Sequence, residues 1–231
     1  MRLIDRPSPN HDARPEGTPI DLLILHYTGM KTAAEAVDWL CNPASQVSAH
    51  YTIDTEGTVF AHVPEARRAW HAGVSYWAGA RGLNARSIGI ELANPGHEFG
   101  YQPFAKAQIE ALVDLADGIM SRHGIAPARV LGHSDIAPAR KQDPGELFPW
   151  KGLADFGIGI WPEYSARAHD RPVEEALAEI GYGVAPEVDV KLEQVLRAFQ
   201  RHFVPERVTG EADPETLRRI AAVHALVTES A

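Results

Sequence analysis

Cysteine is nearly absent from this 231-residue sequence: Cys41 stands alone. An internal disulfide is therefore excluded, and so is a cysteine-rich metal site. Cys41 follows Trp39-Leu40 and reads as a small buried side chain; a chain without disulfides fits a reducing compartment. Positive charge is also in short supply. The sequence has 22 Lys and Arg against 31 Asp and Glu, a formal net charge of −9. No basic run offsets that balance, so nucleic acid is not expected as a partner, because phosphate binding needs a basic face. No apolar run approaches transmembrane length, so no membrane association is expected. Residues 1–10 lack both the apolar core and the small-residue cleavage site of a secretory signal. The expectation is a cytoplasmic protein, or a periplasmic one if an export signal has been removed. His-Glu-x-x-His, a phosphate-loop glycine pattern and a Gly-x-Ser-x-Gly elbow are all missing.

The composition, 45% hydrophobic, suffices for one well-buried domain and a smaller one. Residues 1–19 are rich in Pro, Asn, Asp and Gly and read as an extended arm. Residues 20–151 mix strand and helix signals. The unbroken apolar run at 22–26 predicts a buried strand. Residues 32–40 predict a helix with Thr32 as N-cap and Glu35 at the capping-box position. Residues 49–54 and 58–63 flank Thr55-Glu56-Gly57 and predict a hairpin. Strands are expected at 87–93 and 129–133. Residues 106–123 form an amphipathic pattern through Ile109, Leu112, Val113, Ala116, Ile119 and Met120, with Gly124 to end the helix. Residues 152–172 read as a linker docking through Trp161. Three helices follow within residues 173–231, at 173–180, 191–202 and 214–226, the last opened by Asp213-Pro214. The expected fold is α/β, a mixed central β-sheet flanked by helices, with a small three-helix C-terminal domain.

The chemistry concentrates in the run Gly132-His133-Ser134-Asp135-Ile136-Ala137-Pro138-Ala139-Arg140-Lys141-Gln142-Asp143-Pro144-Gly145. Upstream, one apolar strand delivers His26 and another delivers Glu91. Two histidines, an aspartate, a separate glutamate and a lysine are the parts of a hydrolytic zinc site. Three ligands hold the metal, a fourth position stays open for water, and a non-ligand acid moves protons. Each residue also has an ordinary reading: His26 as a core histidine, Asp143 as a turn aspartate, Glu91 as an outward strand residue, Lys141 as a solvated lysine. His26 and His133 both close short apolar runs, so they can converge at one sheet edge. Glu91 alternates with Ile88 and Ile90 and faces away from them. His50, Trp70 and His71 are secondary candidates.

Five segments in order carry a resemblance: Leu25-His26-Tyr27-Thr28, Ser48-Ala49-His50-Tyr51, Ala69-Trp70-His71-Ala72-Gly73, Ser87-Ile88-Gly89-Ile90-Glu91-Leu92 and the run from Gly132 to Gly145. Together they resemble the type-2 N-acetylmuramoyl-L-alanine amidases, AmiD/AmpD-like zinc enzymes. Leu147-Phe148-Pro149-Trp150 and a C-terminal unit resembling a peptidoglycan-binding domain extend the likeness over nearly the whole chain. The resemblance implies Zn2+ on His26, His133 and Asp143, with Glu91 as general base and Lys141 stabilising the oxyanion. It implies Tyr27, His50, Trp70, His71 and Asn94 in substrate binding. Arg67, Arg68, Arg81 and Arg86 are candidates for contacting an anionic substrate. The implied activity is hydrolysis of the amide between N-acetylmuramic acid, in its 1,6-anhydro form, and L-alanine of the stem peptide, in peptidoglycan recycling. The partner is then an anhydro-muropeptide or a peptidoglycan fragment. The alternatives are an exported amidase acting on murein sacculi and a non-catalytic peptidoglycan-binding protein. The complete set of five residues argues against the last.

Overall fold

A computed structural model describes residues 2–164, 171–184 and 189–229. Met1 of the expected arm, residues 165–170 of the expected linker, and residues 185–188 and 230–231 of the expected helical unit lie outside the described residues. In chain order, β1 (Arg2–Asp5), β2 (His11–Ala13) and β3 (Leu22–Tyr27) lead to α1 (Ala33–Leu40). Thr32 caps α1, its hydroxyl accepting the Glu35 N–H at 3.2 Å. β4 (Tyr51–Ile53) and β5 (Thr58–Ala61) form the expected hairpin. Its turn needs Gly57, at φ 81°, because an added Cβ would meet the Ala107 carbonyl oxygen at 2.7 Å. Next come β6 (Arg67–Ala69), β7 (Tyr76–Trp77), β8 (Ala80–Arg81) and β9 (Ser87–Leu92). A short α2 (Gly96–Phe99) precedes α3 (Lys106–His123), which ends at Gly124 with φ 66°. β10 (Val130–Gly132), α4 (His133–Ile136) and α5 (Trp150–Ala154) complete the first part. The C-terminal unit contributes α6 (Val173–Ile180), α7 (Leu192–Phe203) and α8 (Pro214–Glu229).

The main sheet has the order β1-β5-β4-β9-β3-β10 and is mixed: β4 and β5 are antiparallel, the other neighbours parallel. The first residues are extended as expected, and β1 pairs with β5 as an edge strand. Two apolar layers cover the sheet. Leu23, Leu25, Ile88, Ile90 and Leu92 pack under α3 against Leu112, Leu115 and Ile119. Gln108 of α3 is buried with them, its amide donating to the carbonyls of Ile53 and Ala93 at 2.9 and 3.1 Å. On the opposite face Leu22, Ile24 and Leu131 share one core with Leu177, Leu196, Phe199 and Val223 of the C-terminal helices. The helical unit is thus packed on the sheet itself. Trp161, half-buried, touches both layers. Among the described residues no helix is long and apolar enough to cross a membrane.

This arrangement fixes where the chemistry lies. His26 shares a face with Leu22 and Ile24 and alternates with Leu23 and Leu25, and Glu91 alternates with Ile88 and Ile90, so both point to the face opposite α3. β3 and β9 are in parallel register, with His26 beside Glu91. Gly132 stands beside Leu25, so β10 releases the chain at the same sheet edge. The sequence places His133 at a strand end. The strand stops at Gly132, and His133 opens the turn α4.

Candidate active site

His26, His133 and Asp143 converge. His26 Nδ1 lies 2.9 Å from His133 Nδ1 and 3.0 Å from Asp143 Oδ2, and His133 Nδ1 is 3.0 Å from that same oxygen. All three side chains are buried. Two imidazole lone pairs and a carboxylate oxygen aimed at one point repel one another unless a cation sits among them. The donor set, two histidines and one aspartate, suits a zinc ion with a remaining open position. The outward nitrogens support the same assignment. With the Nδ1 lone pairs turned inward, His26 Nε2–H donates to His71 Nδ1 at 3.0 Å and His133 Nε2–H to the Ala72 carbonyl at 3.2 Å. His71 Nε2–H passes on to Ser87 Oγ at 3.2 Å, and the Ser87 hydroxyl to the Leu83 carbonyl at 2.7 Å. Such outer partners fix tautomer and ring orientation. Burial, reinforced by His133 alongside, lowers His26 to about 4. Burial pushes Asp143 up, but the two histidines outweigh it and hold the carboxyl well below the usual range. Neutral imidazole and ionised carboxylate are the forms a metal requires.

Glu91 reaches the same space from β9. Its Oε2 is buried with no hydrogen-bond partner among the described residues. Burial, then the Asp143 charge, push its pKa well above the ordinary value, with Lys141 opposing. A carboxyl so placed is suited to taking and returning a proton. Lys141 is half-buried, and its backbone N–H donates to the Ala137 carbonyl at 3.0 Å, at the end of α4. Glu91, His133, Lys141 and Asp143 line one cleft of about 440 Å³ together with Tyr27, Trp70 and His71. The Tyr27 hydroxyl is held 2.9 Å from His97 Nδ1.

His50 and Asn94 are not brought to the cleft lining, contrary to expectation. His50 is fully buried; its Nδ1 accepts the Gly89 N–H at 3.0 Å and its Nε2 faces the Arg14 guanidinium at 3.1 Å. Burial and Arg14 lower it to about 3, so it stays neutral and braces β9. The Asn94 amide donates to the Gln102 carbonyl at 2.7 Å and accepts the Gly96 N–H at 3.0 Å, closing a loop. His71 lines the cleft, but its ring is engaged by His26 and Ser87, which makes it a support for the ligand. The four arginines fare likewise. Arg68 and Arg86 are paired with Asp12 and Asp21, Arg67 donates to His11, and Arg81 lies over the Tyr76 ring. The cleft has Arg140 instead, its guanidinium donating to the Ala72 and Val74 carbonyls at 2.9 and 2.6 Å. The sequence reading also missed Trp39, 47% exposed on the cleft rim; its signal was an aromatic on the polar side of an amphipathic helix. Cys41 is half-buried, donating to the Arg6 carbonyl at 3.1 Å.

Comparison with known proteins follows the same lines. Residues 16–146 match the family model described as N-acetylmuramoyl-L-alanine amidase, and residues 171–220 match a peptidoglycan binding domain. The chain is 41% identical over 225 residues to the N-acetylmuramoyl-L-alanine amidase AmiD of Escherichia coli strain K12, covering 85% of this chain and 79% of that protein. It is 35% identical over 161 residues to the 1,6-anhydro-N-acetylmuramyl-L-alanine amidase AmpD of Enterobacter cloacae, covering 62% of this chain and 84% of that protein. The solved complex of E. coli AmiD with anhydro-N-acetylmuramic acid-L-Ala-D-gamma-Glu-L-Lys superposes with a TM-score of 0.79 at 39% identity, over 90% of this chain and 91% of that one. AmpDH3 of Pseudomonas aeruginosa superposes with a TM-score of 0.82 at 36% identity, over 93% and 94%.

Proposed function

The chain belongs to the N-acetylmuramoyl-L-alanine amidase family, and from that premise we propose that it is a zinc-dependent amidase of peptidoglycan recycling. It hydrolyses the amide between the lactyl carbonyl of N-acetylmuramic acid and L-alanine, with the soluble 1,6-anhydro-muropeptide as preferred substrate. The observation that carries this reading is Glu91: a buried carboxyl with an unpartnered oxygen, beside a convergent His26, His133 and Asp143. Zinc on those three residues supplies Lewis acidity, polarising the scissile carbonyl and acidifying water. Glu91 removes the proton from water as its oxygen attacks the carbonyl carbon. The same carboxyl then returns the proton to the L-alanine nitrogen, so that the C–N bond breaks and the amine leaves neutral. The Lys141 ammonium, in the same cleft, offsets charge growing on the carbonyl oxygen. Trp39, Trp70 and Tyr27 form the walls and exclude water around the sugar and the first peptide residue.

The substrate form rests on relatives: E. coli AmiD and P. aeruginosa AmpDH3 are both known in complexes with anhydro-muramic peptides. A second reading, an amidase acting on murein sacculi, draws on the match of residues 171–220 to a peptidoglycan binding domain. Parallel digestion of purified anhydro-muropeptide and intact sacculi separates the two. Faster release of stem peptide from the soluble substrate supports recycling; comparable or faster release from sacculi supports the second reading.

A further inference from the structure

We propose that the C-terminal helical unit is a working part of the metal centre: Tyr182 and His202 are positioning residues that, through Asp135, hold the turn carrying His133. The inference rests on the metal assignment above and concerns a role different from gripping peptidoglycan.

Asp135 has no exposed surface, and its carboxylate accepts from three donors. Oδ2 accepts the Gly132 N–H at 2.7 Å and His202 Nδ1–H at 2.8 Å; Oδ1 accepts the Tyr182 hydroxyl at 2.7 Å. Gly132 and Asp135 bracket His133, one residue before it and two after. The carboxylate therefore pins both ends of the turn that presents the imidazole. The same turn steadies the aspartate ligand, because the Ser134 N–H donates to the Asp143 carbonyl at 2.9 Å. The turn has no slack on its other side: a Cβ on Gly132 would meet Pro144 Cδ at 2.8 Å.

Two of the three donors come from the C-terminal unit, and both rings are held in place. Tyr182 is buried edge-on to Trp77, centroids 4.8 Å apart, and near Phe199 at 6.1 Å. His202 on α7 is stacked on Trp150 at 3.8 Å with an interplanar angle of 17°. His202 Nε2 is buried without a partner among the described residues, so the ring's hydrogen bonding is directed at Asp135. Hydrogen bonds to an ionised carboxylate are the strong kind, and groups that orient metal ligands commonly change metal affinity 10- to 100-fold. A unit packed on the sheet through α7 thus reaches the His133 ligand through one buried carboxylate.

The test uses the full chain. Tyr182→Phe keeps the ring packing and deletes one donor. His202→Asn keeps a donor, since the asparagine amide nitrogen stands close to where Nδ1 stood. Zinc affinity is read by chelator competition, ligand geometry by the visible spectrum of the cobalt-substituted protein, and fold by melting of the metal-free protein. The proposal expects Tyr182→Phe to weaken zinc binding about 10-fold or more and to shift the cobalt bands, with His202→Asn closer to wild type than Tyr182→Phe. Unchanged zinc affinity and cobalt bands in Tyr182→Phe, with only the melting temperature lowered, overturn it and leave a structural brace. If His202→Asn does not fold, Tyr182→Phe alone decides. None of these readouts involves a muropeptide, so failure of the amidase reading shows separately, as zinc-loaded wild-type protein that cleaves no substrate.

Discussion

A single methyl group on Gly89 is expected to disturb the metal centre without touching any ligand. Gly89 lies on β9 directly beneath His71, and a Cβ built there falls 2.5 Å from both Cγ and Nδ1 of that ring and 2.8 Å from Cδ2. Carbon atoms pack comfortably at about 3.5–4.0 Å, so the ring must retreat by roughly 1 Å. It has nowhere to go without loss. His71 Nδ1 holds His26 Nε2 at 3.0 Å, Nε2 holds Ser87 Oγ at 3.2 Å, and the His26 and His50 rings stand edge-on at 5.1 and 5.7 Å. Either the His26 bond breaks or His26 follows and leaves its place opposite His133. Overpacking of this kind costs about 1–3 kcal/mol of stability, and loss of an outer ligand contact costs about 10- to 100-fold in zinc affinity or activity. The assay is chelator competition on Gly89→Ala, with turnover measured at saturating zinc. Gly152→Ala is the control, because nothing lies within 4 Å of a Cβ at that helical position. Wild-type zinc affinity and turnover in Gly89→Ala would refute the argument that the chain from Ser87 through His71 orients His26.

Glu91→Gln removes the proton carrier and keeps the shape; turnover should fall by about 10²–10⁴-fold with stoichiometric zinc retained, and a near wild-type rate would remove Glu91 from the mechanism. Lys141→Ala should lower kcat by roughly 10²–10³-fold if its ammonium serves the oxyanion, and a rise in KM alone would make it a binding residue. Glu65 anchors the end of α3. Burial would raise its pKa, but hydrogen bonds from Arg122, His123 and Tyr51 at 2.6, 2.6 and 2.8 Å dominate and bring it to about 2. A folded-state pKa below the unfolded value of about 4.3 stabilises the protein above that pH and ceases to do so as the pH falls towards the folded value. Glu65→Gln should therefore melt lower than wild type at pH 7, with the gap closing on acidification through that window. A gap that does not change with pH would show that the charge is not what matters.

The sheet edge was legible in the sequence because apolar alternation shows which strand residues point away from the packed face. That logic placed Glu91, while His26 was placed by its position at the close of an unbroken apolar run, and the expected hairpin and the Thr32 cap have local causes that a short window contains. His50 and Asn94 misled for the converse reason. Their polar atoms are consumed by Gly89, Arg14, Gln102 and Gly96, and the two partners of His50 lie too far along the chain for a local reading to connect. The helices of the C-terminal unit were visible from their periodicity, yet an amphipathic face states only that it is buried, not against what. Its packing on Leu22 and Ile24 joins opposite ends of the chain, and the path from Tyr182 and His202 to Asp135 depends on contacts across 47 and 67 residues. Trp39 escaped notice because an exposed aromatic on a short helix looks like ordinary surface until a cleft opens beside it.

The central claim is hydrolysis at one bond by one set of residues, and the most direct measurement is mass spectrometry of the products formed in water enriched in heavy oxygen. Zinc-loaded protein acting on purified anhydro-muropeptide should yield a muramic lactyl carboxylate carrying one heavy oxygen and an unlabelled stem peptide with a free L-alanine amine. Label in the peptide, cleavage elsewhere in the stem, or an intact substrate with zinc bound would contradict the account.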